Sequence, residues 1–169
     1  MWNVRRILKE LADAERRRRI GVAFWKESDA QTRAIATATL AKAVHFRDEA
    51  LRKLPVEKRA EMLVARAGAP ELEQALEAAL MHYHTSQQRE MLAAFLDAWK
   101  IPHENGSIET DDYAPPSAEQ VRDAVRALDR FDRRDVALYL ASAGLLMGGE
   151  WEKATWAVVD EMAPQLTAE

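Results

Sequence analysis

Cysteine is absent from the 169-residue sequence. That excludes a disulfide framework, a thiolate nucleophile and a cysteine-built zinc site. Long apolar runs are missing too: no stretch approaches the ~20 apolar residues a helix needs to cross a bilayer. Near the start, Arg5, Arg6, Lys9 and Glu10 break up any apolar segment, so neither a signal peptide nor membrane insertion is expected, and the expected location is the cytoplasm. No alternation of apolar and polar residues runs long enough for a sheet. The segment Gly144-Leu145-Leu146-Met147-Gly148-Gly149 lacks the lysine and hydroxyl residue of a phosphate-binding loop, and no strand precedes it. It reads as a helix end. No serine stands in a nucleophile-elbow or Ser-x-x-Lys context.

What is present is the composition of a folded chain: 48% hydrophobic and 31% charged residues, in a length that suits one domain with a real core. Arginine outnumbers lysine and alanine is abundant, a composition associated with GC-rich bacterial genomes. The net charge of −4 is unevenly spread. Residues 1–26 carry eight basic against three acidic side chains, a surplus of five, which leaves the rest of the chain nine negative. A basic arm on an acidic body is the first feature with functional meaning.

Helix signals dominate. Val4, Ile7, Leu8, Leu11 and Ala14 share one face of a first helix. Extending it places Arg18 on that face, so the expectation is either a break or bend near Arg16–Gly21 or an Arg18 at the edge of the core with its stem packed. Ser28 or Asp29 caps a second helix running to about Leu54. Pro55 opens a third that stops at Gly68, and Pro70 a fourth with Leu72, Leu76, Ala79, Leu80 and Tyr83 aligned. Met91, Leu92, Phe95, Leu96 and Trp99 form the stripe of a fifth. Residues 101–116 are a long loop whose Asn105-Gly106 tolerates φ > 0 and can make a very short hairpin. Ser117 with Gln120 is a capping box for a sixth helix. Asp132 caps a seventh, and a last helix starts at Trp151 and stops before Pro164. The expected fold is all-α: a single domain of seven to eight helices in an antiparallel bundle or stacked helical hairpins, with residues 1–26 as a semi-independent basic helix.

Two places attract functional attention. On a continuous helix, Arg5, Lys9, Arg16 and Arg19 cluster within about 80° of arc. Such a stripe can be a solvated or internally paired face, or it can meet a partner protein, a nucleic-acid backbone or an anionic surface. Local pairing at i,i+4, as in Arg6–Glu10, and the acidic remainder of the chain argue against nucleic acid. Trp25, beside the basic run, is a candidate interface anchor. The second place is the loop, where His103 and Glu104 precede the Asn-Gly turn and Asp111 and Asp112 follow it. Folding could assemble them into a small-ligand or proton-transfer site. The four histidines show no i,i+3 or i,i+4 ligand spacing, and the loop acids do not match a calcium loop, so no metal and no cofactor is expected. The favoured expectation is a non-enzymatic interaction module that binds a protein partner or a second copy of itself. The alternatives are an enzyme or ligand-binding protein with its site at the loop, and binding of nucleic acid or an anionic surface through the basic helix.

Overall fold

Short polar side chains set half of the α-helix starts in the computed structural model, which describes residues 1–167. Asn3 accepts from the Arg6 amide and opens α1 (Val4–Glu10). Asp13 accepts from the Arg16 amide and opens α2 (Ala14–Glu27). Asp29 does the same for α3 (Ala30–Ala43) through Thr32. Each satisfies one of the orphan amides of a first helical turn. After α4 (Asp48–Arg52), Pro55 leads into α5 (Val56–Val64). A 3₁₀ turn at Pro70–Leu72 feeds α6 (Glu73–Gln87), followed by α7 (Arg89–Ala98). Ser117 and Gln120 form the full capping box of α8 (Ala118–Ala127). Asp132 caps α9 (Arg133–Met147), and Gly148 separates it from α10 (Gly149–Leu166).

The fold is all-α, as the periodicity predicts, but the described residues contain ten α-helices rather than seven or eight. Two expected helices are each divided. The first breaks at Leu11–Asp13, not between Arg16 and Gly21, because Asp13 caps a new helix while Leu11 and Ala12 turn inward. The second ends at Ala43: His45 takes φ 57° and the Phe46 amide closes back on the Ala41 carbonyl at 2.8 Å, a left-handed helix end. Gly21 does not break α2. A Cβ there would stand 2.8 Å from the Cβ and carbonyl oxygen of Ala60, so the missing side chain lets α2 and α5 touch backbone to backbone. Pro164 does not end the last helix either. It sits inside α10, which runs on to the buried Leu166, whose carbonyl accepts from Arg134 at 2.7 Å.

The 101–116 segment holds the short hairpin, β1 (His103–Glu104) against β2 (Ser107–Ile108), with Asn105 and Gly106 both at positive φ. One buried core runs through the molecule, and residues 1–26 belong to it. Trp2 is 1% exposed and its indole donates to Asp160 of α10 at 2.9 Å; Ile7, Leu8 and Leu11 are equally enclosed. α2 lies across α5 and α6, while α9 and α10 pair along most of their length. Among the described residues no helix is long and apolar enough to cross a membrane.

Candidate functional site

The break at Leu11–Asp13 splits the expected basic stripe between two helices. Arg16 leaves it altogether. Its guanidinium binds Asp13 at 2.6 Å, Asp132 at 3.0 Å and Asp135 at 2.7 Å, tying the start of α2 to the start of α9. These carboxylates raise its pKa further above an already high value, and the Arg16 amide and guanidinium hold Asp13 below the usual carboxylate range. Arg19 donates to Gln87 at 2.9 Å and lies over the Tyr83 ring. Trp25 is 4% exposed, with Phe24 edge-on and the Arg59 guanidinium 5.2 Å from its ring. It is a core side chain rather than a surface anchor.

Arg5 and Lys9 remain together. With Arg17 of α2 and Arg66, just past α5, they line a concavity of about 450 Å³ whose floor is Leu8 and the 64–69 turn. Arg5 lies along Gly68. None of these four cations forms a salt bridge among the described residues, and no carboxylate lines the concavity. Glu15 and Glu61 lie in an adjoining hollow on one side, and Glu73 in another. The C-terminal end of α5 carries partial negative charge that favours nearby cations. One helix end is equivalent to about half a charge, too little to balance four. The lining of the hollow therefore carries a local surplus of positive charge.

The loop residues are arranged differently. His103 Nδ1 accepts the Gly106 amide at 3.0 Å, which places the ring proton on Nε2, and Nε2 donates to Asp97 of α7 at 2.8 Å. Both ring nitrogens are thus spent on holding the hairpin against α7. Glu104, Asp111 and Asp112 are exposed, and the side-chain hydrogen bonds of His103 go to Gly106 and Asp97 instead. Among the described residues no group of three or more His, Asp or Glu side chains could hold a metal ion.

Sequence reasoning did not single out Arg17 and Arg66, because the groove joins segments about 50 positions apart. It also found no ligand spacing among the histidines and did not single out His84. His84 is 4% exposed, and burial lowers its pKa from 6.5 to about 3. A signal was available: Leu76, Leu80 and His84 are spaced i, i+4, i+8, which puts the histidine on the apolar stripe of α6.

With this geometry in hand, comparison with protein-family models, curated proteins and solved structures finds no match.

Proposed function

We propose that this chain is a non-enzymatic interaction module that holds an acidic segment of a partner protein in the groove of Arg5, Lys9, Arg17 and Arg66. The observation that carries this reading is the convergence on one concavity of four cations that form no salt bridge among the described residues. Elsewhere on this basic arm, arginines such as Arg6, Arg16 and Arg18 are neutralised within the chain. Leaving four unneutralised in one place costs self-repulsion, which an incoming carboxylate cluster would relieve. A protein partner suits the groove better than nucleic acid. The remaining chain is acidic overall, and no aromatic side chain lines the groove for base stacking. The chain's own Glu104, Glu109, Asp111 and Asp112 make one such acidic segment, so a second copy is one form the partner could take.

The test is fluorescence anisotropy with a labelled Asp/Glu-rich peptide at low and moderate salt. The wild type should bind, with affinity falling as salt rises. The double variant Arg17→Glu, Arg66→Glu should lose at least ~10-fold in affinity while keeping its helical circular dichroism. Equal binding by wild type and double variant, or a preference for duplex DNA over the peptide, overturns the proposal. Light scattering on the unlabelled chain separates self-association from a foreign partner.

A further inference from the structure

A second concavity lies at the opposite end of α6, away from the basic groove. It has a volume of about 150 Å³, opens to solvent on one side, and is lined by residues of α6, α7, the hairpin, α9 and the first turn of α10. Leu92, Leu96 and Ile108 supply apolar walls. Met81 and Met147, 43% and 47% exposed, stand among its lining residues where it meets solvent. Flexible, polarisable methionine side chains suit an opening that must adapt to a small aromatic guest.

The lining is almost wholly apolar, and several polar side chains lie just behind it. Ser142 is fully buried and donates to the Leu138 carbonyl at 2.7 Å. Its oxygen is then the acceptor in the 3.1 Å contact with His84 Nε2, so the ring proton sits on Nε2. That leaves His84 Nδ1 as a bare acceptor, buried and without a partner among the described residues. Trp151, another lining residue, has the complementary defect: its indole Nε1–H is a buried donor without a partner. Tyr139 adds a phenol to the same wall, and burial raises its pKa, keeping it a neutral hydroxyl. Burial likewise keeps His84 neutral. Both orphaned atoms are closed to solvent, so a ligand hydroxyl, which is both donor and acceptor, recovers their desolvation cost as the flexible lining side chains give way to it.

We infer that this cavity is a binding site for a small neutral aromatic alcohol of the phenol class, its ring among Leu92, Leu96 and Met147 and its hydroxyl against His84, Tyr139 and Trp151. Size agrees: an apolar cavity of about 150 Å³ admits a benzene-sized ring. The lining excludes charge. Among the described residues no lysine, arginine, aspartate or glutamate lines it, so an ionised ligand would be desolvated without a counter-charge. Aromatic rings from His84, Tyr139 and Trp151 favour an aromatic guest over an aliphatic one through edge and offset contacts.

Paired titrations of the intact chain with phenol, toluene and benzoate test this, followed by the indole Nε1–H resonance of Trp151 and by tryptophan fluorescence. A purely apolar cavity prefers toluene, because it must strip the phenol hydroxyl of water and return nothing. The site described here should saturate with phenol, bind toluene no more tightly than phenol, and ignore benzoate. In His84→Leu the order should reverse, with phenol weakened by about 10-fold relative to toluene, equivalent to one lost hydrogen bond. Ala143→Leu, which narrows the cavity, should weaken both. Should a variant fail to fold, the phenol-to-toluene order in the wild type still decides. Toluene binding well above phenol, benzoate binding best, or no saturable phenol binding up to its solubility limit each overturns the inference. None of these outcomes bears on the basic groove, which lies on other helices.

Discussion

Arg16 Nε donates to Asp135 at 2.7 Å, a bond between residues 119 positions apart that fastens α2 to α9. With Asp13 and Asp132 also on the guanidinium, a side chain only 18% exposed carries three carboxylates. Arg16→Ala should destabilise the fold by about 2–3 kcal/mol, because it leaves Asp135 half-buried and unpaired. Arg16→Lys should recover only part of this, since a point ammonium cannot reproduce a fork shared among three acceptors. Urea unfolding measures both. A change within about 0.5 kcal/mol, the range of an ordinary surface substitution, would show that the cluster contributes nothing.

Gly21→Ala and Gly144→Ala should each lower stability by about 1–3 kcal/mol. In an exposed helix the same change gains about 0.5–1 kcal/mol, so the sign is diagnostic. At Gly21 the new methyl would meet the Ala60 backbone of α5 at 2.8–2.9 Å. At Gly144 it would meet the Trp156 indole and the Thr155 hydroxyl of α10. Thermal melts should move down for both variants; an upward shift would mean the helices do not approach so closely.

His84 should shape the acid limb of stability. Its folded pKa is about 3 against an unfolded value of 6.5. Between these, the unfolded chain holds a proton that the folded chain does not, so protonation favours unfolding. The contribution of neutral His84 is therefore whole above pH 6.5 and falls by about 1.4 kcal/mol per pH unit below it. Denaturant midpoints measured from pH 7 to pH 4.5 should show this slope in the wild type and lose it in His84→Leu. Parallel curves for the two proteins would contradict it.

Trp2→Ala should cost about 3–5 kcal/mol, the range for emptying a buried aromatic site. The indole is 1% exposed, the Arg6 guanidinium lies 4.0 Å from its ring, and its N–H is bonded to Asp160. A single cooperative unfolding transition with a lowered midpoint is expected. A separate early transition, leaving the rest of the chain unaffected, would mean that α1 is an independent unit.

Local signals proved readable and distant ones did not. Asp29, Asp132 and the Ser117–Gln120 box mark helix starts because a cap is a contact within three residues. The Asn105-Gly106 turn is equally local, and both residues take the positive φ that their chemistry tolerates. The misplaced boundaries have a different origin. His45 ends α3 in a left-handed conformation without a glycine to announce it, and Pro164 stays within α10 because the last turn is anchored by Leu166 and Arg134. The basic stripe drawn on one helix failed once Asp13 started a second. The pairing of Arg16 with Asp132 and Asp135, and the meeting of Arg17 with Arg66, depend on how helices pack and leave no periodic trace in the chain.

The most direct test of the basic groove is a backbone ¹H–¹⁵N titration of the chain with an Asp/Glu-rich peptide. Shifts should concentrate at residues 5, 9, 17 and 64–69, and should vanish in Arg17→Glu, Arg66→Glu. Shifts centred on residues 101–116, or none at low salt, would contradict the proposed interaction surface.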